Sequence, residues 1–242
     1  MDRNSVNWSG PMPAVTTAFH DDGRIDEAAF AANLEGLIAA GATGFVVGGC
    51  TGEFWALSHE ERKRLFDVAY EAIAGRVTLI AGTGAVSVEE TVALTCHAEA
   101  AGCDGALILP PYFVKLSDDE IEAHFADVTA QIGLPVVLYN IPGNAVNAIT
   151  PALAARLADL ERVVAIKESS GDWNNYYGTH LAVHERLRVY CGPSSVFGVP
   201  AVQLGADGTI DCFPNVWQRG GLDLYFAAKA GEPEKAAELQ AM

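Results

Sequence analysis

Short apolar runs alternate with longer amphipathic stretches along the whole chain. Each run has five or six residues and is bounded by glycine or polar residues, which predicts buried parallel strands. The stretches between them have helical periodicity; the one that begins at Asp26 places Phe30, Leu34 and Leu37 on one face. The eight predicted strands are Ala14–Phe19, Phe45–Gly49, Val77–Gly82, Ala106–Pro110, Pro135–Asn140, Val163–Lys167, Arg188–Gly192 and Gly208–Cys212.

Helix starts recur at an interval of about thirty residues. Ser58, Ser87 and Ser117 are each followed three residues later by glutamate, which is the pattern of a capping box. Thr150-Pro151 continues the series with proline at the first helical position. Eight strands that alternate with helices in a chain of this length are typical of a (β/α)₈ TIM barrel, and a doubly wound sheet with fewer strands is the alternative. No linker divides the chain, so we expect one barrel over residues 1–231.

Composition narrows the classes of partner. Thirty-one acidic and fifteen basic residues give a net charge of −16, and no basic stretch is present. Nucleic acid and anionic membrane are therefore not expected as partners. The N-terminal residues lack the apolar segment of a signal peptide, and no apolar run is long enough to span a bilayer. The five cysteines include no CxxC pair and predict neither a disulfide framework nor a zinc site. We expect a soluble, cytoplasmic protein.

Lys167 is the first candidate for chemistry, because it ends a strand that is predicted to be buried on both faces. Burial lowers the pKa of a lysine, and a neutral amine attacks ketones to form a Schiff base. In a barrel, the carboxyl ends of the strands face the active site. The alternative is that Lys167 forms an ion pair with Glu168 or another carboxylate at an ordinary strand end.

Two further strand ends carry candidate groups. Gly48 to Glu53 reads Gly-Gly-Cys-Thr-Gly-Glu and could present backbone amides and a hydroxyl to a carboxylate, or could be only a tight turn. Tyr139 ends the fifth predicted strand and could relay protons if its phenol points inward. His180 and His184 have i, i+4 spacing, but they do not form an HExxH motif and would lie outside the barrel.

Taken together and in order, these motifs resemble the dihydrodipicolinate synthase/N-acetylneuraminate lyase family. The similarity extends from about Pro13 to the end of the chain and is carried by Gly49-Cys-Thr-Gly-Glu53, Tyr139-Asn-Ile-Pro142, Ile166-Lys-Glu168 and Gly205-Ala-Asp-Gly208. The resemblance implies a class I aldolase or lyase on a (β/α)₈ barrel. Such an enzyme forms a Schiff base with pyruvate or a related 2-oxo acid and needs no metal or organic cofactor.

The resemblance also implies roles for individual residues. Lys167 matches the Schiff-base lysine and Tyr139 matches the tyrosine that shuttles protons. Thr51, with the backbone of Gly49 and Cys50, matches the anchor for the substrate carboxylate. Ile210 falls where the family lines the pocket beside the lysine.

Three residues depart from the family pattern. Cys50 replaces a threonine or serine, and a thiol is a weak donor for a proton relay. Phe113 stands where dihydrodipicolinate synthases carry a relay tyrosine across a subunit contact, and Asn144 stands where they carry an arginine for a second carboxylate. These departures argue against dihydrodipicolinate synthase activity. The stretch from Gly49 to Leu57 and the Leu-Pro-Pro-Tyr run resemble instead the sugar-acid branches of the family, including 2-keto-3-deoxy sugar-acid aldolases and 5-dehydro-4-deoxyglucarate dehydratases.

The resemblance leads to expectations about the end of the chain and about assembly. The family adds a C-terminal helical region after the barrel, and residues 232–242 correspond to the start of that region with the rest missing. The family's habit also implies a homo-oligomer, usually a tetramer.

Three alternatives to the aldolase stay open. A dehydratase could use the same iminium, and a 2-oxo-acid-binding protein could form the imine without turnover. A phosphate-binding barrel would need glycine-rich loops after strands seven and eight, and Cys191-Gly-Pro-Ser-Ser195 supplies only one.

Overall fold

The computed structural model describes all 242 residues as a ring of parallel strands enclosed by helices. This architecture confirms the predicted (β/α)₈ barrel. The strands are β1 (Gly10–Pro11), β2 (Gly44–Val47), β3 (Thr78–Gly82), β4 (Gly105–Ile108), β5 (Val136–Asn140), β6 (Val163–Glu168), β7 (Arg188–Cys191) and β8 (Gly208–Thr209). The helices are α1 (Glu27–Ala40), α2 (His59–Ile73), α3 (Val88–Ala101), α4 (Asp118–Thr129), α5 (Pro142–Ala145), α6 (Pro151–Leu157), α7 (Trp173–Val183), α8 (Ser194–Gln203), α9 (Gln218–Ala230) and α10 (Pro233–Ala241).

Backbone hydrogen bonds run almost the whole way round the ring. The strand order is β1-β8-β7-β6-β5-β4-β3-β2, and every neighbouring pair is parallel. The ring closes just after β1, where the Val15 amide donates to the Val46 carbonyl at 3.0 Å and the Val46 amide donates to the Pro13 carbonyl at 2.9 Å. The carboxyl ends of all the strands therefore open on one face.

Alternation along each strand divides the core into two layers. Residues such as Val137 and Ala165 belong to a cluster of 15 buried residues inside the barrel. Their neighbours Leu138 and Ile166 belong to a cluster of 41 buried residues between the sheet and the helices. The larger outer layer holds the helices against the sheet, while the inner layer fills the barrel below the site.

Most predicted helix caps are present. Ser58 and Ser117 form complete capping boxes, and the Thr150 hydroxyl accepts from the Leu153 amide at the start of α6. The Ser87 hydroxyl accepts from the Glu90 amide, but no bond returns from the Glu90 side chain, so the third box is incomplete. These caps supply partners for helix-end amides that would otherwise have none.

The prediction of a first strand over Ala14–Phe19 is wrong, because the strand lies at Gly10–Pro11. Its short pairing with β8 needs a close backbone approach: a Cβ on Gly208 would lie 2.0 Å from the Gly10 carbonyl oxygen. Glycine and proline satisfy this packing but do not form an apolar run, so the pattern does not indicate a strand there. The eighth strand also ends earlier than predicted, at Thr209.

The chain ends in a pair of helices that pack together. Gly231 has φ 72° and ends α9, and α10 follows against α8 and α9. None of the helices is both long and apolar enough to cross a bilayer.

Candidate active site

Lys167 lies on the inner face of β6, near its carboxyl end, and its side chain is almost completely buried, with 5 % of the residue exposed. The Nζ atom forms no hydrogen bond and no ion pair within the chain. It lies 4.2 Å from the centroid of the Tyr139 ring and lines a cavity at the carboxyl end of the barrel. An amine in this position can meet a small molecule directly.

Burial lowers the pKa of Lys167 to about 8, although the nearby Cys50, Asp211 and Cys212 side chains oppose the shift. At pH 7, a pKa near 8 leaves about one amine in ten neutral, whereas the ordinary value of ~10.4 would leave about one in 2,500. The neutral form is the nucleophile. The barrel therefore increases the reactive fraction of this amine by about two hundredfold.

The alternative that Lys167 pairs with Glu168 is wrong. Successive side chains on a strand point to opposite faces, and Glu168 points outward. Its carboxylate accepts from the Asn140 side-chain amide at 2.8 Å and from the Ser170 backbone amide at 2.8 Å. Glu168 thus binds the ends of β5 and β6 together from outside the barrel, and the amine inside keeps no carboxylate partner on its own strand.

Tyr139 points into the barrel beside Lys167. The two residues are register partners on β5 and β6, and Tyr139 is 4 % exposed. Burial raises the pKa of the Tyr139 phenol, with Cys50 and Ser169 as its polar neighbours. A neutral phenol next to the amine can donate a hydrogen bond or a proton to an oxygen bound between them.

The loop after β2 brings backbone amides to the same place. The amides of Gly52 and Glu53 donate to the Gly49 and Cys50 carbonyls, whereas the amides of Cys50 and Thr51 donate to no group of the chain. Two free amides and the Thr51 hydroxyl form a group of donors suited to a carboxylate. Burial raises the pKa of the Cys50 thiol, which keeps it neutral.

One cavity of about 240 Å³ unites most of the predicted residues. Lys167, Tyr139, Thr51, Cys50 and Ile210 all line it. Gly49 does not: it lines a small adjoining void behind Cys50. The close approach of β2 and β3 there requires glycine, because a Cβ on Gly82 would lie 2.2 Å from the Gly48 carbonyl oxygen. Gly49 therefore contributes to the shape of the loop rather than to the cavity wall.

Four further residues line the cavity with polar side chains and are not predicted from the sequence as site residues. They are Ser169, Ser195, Asp211 and Cys212. Asp211 lies near the carboxyl end of the predicted eighth strand, Gly208–Cys212, so its position is a usable signal. Ser195 belongs to the stretch after the seventh strand that the sequence associates only with phosphate binding, and no signal distinguishes Ser169, because serines are common in turns at strand ends.

A second recess of about 240 Å³ adjoins the cavity and shares Cys50, Tyr139 and Ile141 with it. Its other lining residues are mainly apolar, namely Phe54, Trp55, Leu109, Tyr112 and Asn144. Phe113 lines neither recess: it is 88 % exposed, and its φ is 76°. Lys167 is the only cation among the residues that line the two spaces.

His180 and His184 stack on the outside of the barrel with ring centroids 4.9 Å apart. No third histidine, cysteine or carboxylate joins them in an arrangement suited to a metal ion. His184 Nδ1 already contacts the His180 carbonyl oxygen at 2.9 Å. The pair contributes to helix packing on α7 and is remote from the cavity in the barrel.

Comparison with known protein families assigns the chain. Residues 7–242 match the model of the dihydrodipicolinate synthetase family. The chain belongs to this family. A family member named 4-hydroxy-tetrahydrodipicolinate synthase, from Hyphomonas neptunium, is 38% identical over 234 residues, which are 96% of this chain and 80% of that protein. One of the same name from Listeria welshimeri is 41% identical over 204 residues, which are 84% of this chain and 69% of that protein.

Solved structures of family members have the same fold. The dihydrodipicolinate synthase of Aquifex aeolicus superposes with a TM-score of 0.91 at 32% identity and covers 97% of this chain and 80% of its own. YagE from Escherichia coli K12, solved in complex with pyruvate, gives a TM-score of 0.93 at 32% identity and covers 98% and 80%. The chain is thus an enzyme of the class I aldolase type, a lyase, on the family's barrel.

The lowered pKa of Lys167 is measurable. We expect the Lys167 amine, labelled by reductive methylation with ¹³C-formaldehyde, to titrate at about pH 8 in the folded protein. Burial disfavours the charged form and so lowers the pH at which the amine loses its proton. The neutral fraction rises as the pH increases through this value. NMR of the methyl resonance against pH, with Lys167→Arg to assign the peak, gives the pKa. A midpoint near the peptide value of ~10.4 would contradict the site described here.

Proposed function

We propose that this family member is a Schiff-base lyase whose substrate is pyruvate or a related 2-oxo acid. The observation that carries the proposal is the buried Lys167 amine, which has no protein partner and faces the free amides of Cys50 and Thr51. A 2-oxo acid matches this arrangement, because it joins a ketone to a carboxylate at adjacent carbons.

The substrate carboxylate is held by the loop after β2. The amides of Cys50 and Thr51 and the Thr51 hydroxyl donate to its oxygens, and hydrogen bonds to a charged group contribute about 1.5–3 kcal/mol each. This contact directs the adjacent carbonyl carbon toward Nζ of Lys167, with Ile210 and Tyr139 on either side.

The chemistry follows from the imine. Nζ of Lys167 attacks the ketone carbon, Tyr139 shuttles protons to and from the substrate oxygen, and water leaves to give an iminium ion. In the cleavage direction the bond between C3 and C4 breaks, its electron pair forms the enamine, and the C4 hydroxyl loses its proton as the aldehyde forms. A dehydratase is the nearest variant: the same iminium acidifies C3–H, and the C4 hydroxyl then leaves as water.

Borohydride trapping tests the proposal. With pyruvate present, we expect reduction to leave one pyruvyl group on Lys167, found by intact mass and peptide mapping, because an imine becomes a stable secondary amine. Lys167→Ala should give no adduct, and Lys115→Ala, which removes an exposed lysine outside the cavity, should react like the native protein. An unmodified Lys167 in the folded native protein would overturn the Schiff-base assignment.

The second substrate is proposed to be an uncharged hydroxy-aldehyde, which gives a 2-keto-3-deoxy sugar acid. Asn144 lines the adjoining recess, and Lys167 is the only cation there or in the cavity. Once Lys167 is an iminium on the first substrate, no lining side chain remains to pair with a second carboxylate. Desolvating an unpaired carboxylate is costly, which disfavours an acidic aldehyde.

The names of relatives favour a second candidate, 4-hydroxy-tetrahydrodipicolinate synthase. The curated relatives at 38% and 41% identity carry that name. This candidate would require a cationic group from outside the two recesses of a single chain to bind the second carboxylate.

Competing aldehydes separate the two candidates. With pyruvate, we expect glyceraldehyde to be consumed with a higher kcat/KM than aspartate semialdehyde, because only the latter carries a second carboxylate. Asn144→Arg should shift the preference toward the acidic aldehyde, as measured by product formation in chromatography. A native preference for aspartate semialdehyde would favour the synthase, and adduct formation without product from either aldehyde would favour a binding protein.

A further inference from the structure

Asp211 is a half-buried residue in the wall of the cavity, and the proposed chemistry has not used its carboxylate. It follows β8, two strands from Lys167 in the ring and on the opposite side from Tyr139. One oxygen, Oδ1, accepts from the Phe213 amide at 3.1 Å. The other oxygen, Oδ2, is buried and has no hydrogen-bond partner in the chain. A buried carboxylate oxygen without a partner is costly, and a ligand in the cavity would be its natural partner.

The expected proton relay is incomplete in this chain. Cys50 supplies a thiol, which is a weak donor, and Phe113 has no ionisable group and is exposed to solvent. Tyr139 holds its proton because burial raises the pKa of its phenol, so it is a poor base near neutral pH. The cavity needs another base if carbon–hydrogen bonds are to break there.

We propose that Asp211 is the base that removes the C3 proton from the iminium formed between Lys167 and a 2-oxo acid; this inference rests on the proposed function. The C3–H bond breaks, its electron pair forms the carbon–carbon double bond of the enamine, and the iminium nitrogen becomes neutral. The proton goes to Oδ2 of Asp211. No other reactant is needed: the protonated Oδ2 exchanges its proton with solvent, and the reverse step delivers a solvent-derived proton to C3.

Electrostatics favours this step. Before it, the cavity holds a positive iminium and a negative carboxylate, and after it both groups are neutral. Charges removed from water are unfavourable, so a transfer that neutralises both is easier in the barrel than in solvent. Burial also raises the pKa of Asp211 to about 6, which leaves the carboxylate ionised at neutral pH and makes it a stronger base than an ordinary aspartate.

The titratable groups that face Asp211 are few. They are Lys167 on β6, Cys191 on β7, Tyr139 on β5, and Cys50 and Cys212 in the loops after β2 and β8. Burial raises the pKa of Cys191, Cys50 and Tyr139, so these groups stay neutral near pH 6. The fixed charge of the iminium favours the carboxylate form of Asp211, which places its midpoint at or below pH 6 when substrate is bound.

Exchange of the pyruvate methyl protons with D₂O, followed by ¹H NMR, tests the assignment without knowledge of the second substrate. Asp211→Asn keeps the oxygen that accepts from Phe213 but cannot take a proton. We expect it to form the borohydride adduct on Lys167 as the native protein does and to exchange at least ~100-fold more slowly per trapped imine, as for loss of a general base. Asp211→Ser should behave in the same way and serves if the first variant does not fold.

Asp2→Asn is the matched control. Asp2 also accepts from an amide two residues ahead, that of Asn4 at 2.8 Å, but it is exposed and lies outside the cavity. The Asp2→Asn protein should exchange the pyruvate methyl protons at the native rate.

The pH dependence of the native protein is an independent readout. Dividing the exchange rate by the amount of imine trapped at the same pH removes the effect of Lys167 titration on imine formation. The quotient should rise with pH up to about 6 or somewhat below and then level off, because only the carboxylate accepts the proton.

A normal exchange rate in the adduct-forming Asp211→Asn protein, or a native quotient that does not change with pH, would overturn the role of Asp211 alone. Absence of the adduct from the native protein would instead overturn the Schiff base on which it rests.

Discussion

The burial of one amine without a carboxylate partner on its own strand is the constraint on which the site depends. Lys167 is the penultimate residue of a strand whose other residues are fully buried, and its Nζ reaches the cavity with no hydrogen bond to the protein. The desolvation that disfavours its charged form also makes it a nucleophile near neutral pH. A carboxylate in direct contact would restore the charge and remove the reactivity.

The barrel maintains this arrangement through strand alternation and register. Glu168, the next residue, points outward and is held by Asn140 and Ser170, which fixes the orientation of Lys167 on the inner face. The register of β5 with β6 sets Tyr139 beside the amine. The loop after β2 adds free amides, and the end of β8 adds Asp211. The segment after β7 adds Ser195, so five strands or their loops contribute to one cavity, because parallel strands bring all their carboxyl ends to the same face.

Sequence patterns predict the architecture and much of the cavity wall, but not the exceptions to apolar periodicity. Val163–Lys167 is recognisable because a strand buried on both faces is uniformly apolar. The first strand is not recognisable, since Gly10 and Pro11 are selected by a close backbone approach at Gly208. Asp211 is not predicted for a different reason: it lies inside the predicted eighth strand, and only the closed ring shows that it lines the same cavity as Lys167. The sequence does not show which of Lys167 and Glu168 faces the inside of the barrel. The folded strand decides this, because its alternation places Glu168 on the outer face.

A crystal structure of the protein soaked with pyruvate is the most direct test of the central claim. We predict continuous density between Nζ of Lys167 and the ketone carbon, with the carboxylate on the Cys50 and Thr51 amides. A planar imine, rather than a tetrahedral adduct, would match the proposed electron sink. Pyruvate bound elsewhere with a free Lys167 amine, or an ion pair between Lys167 and a protein carboxylate, would contradict it.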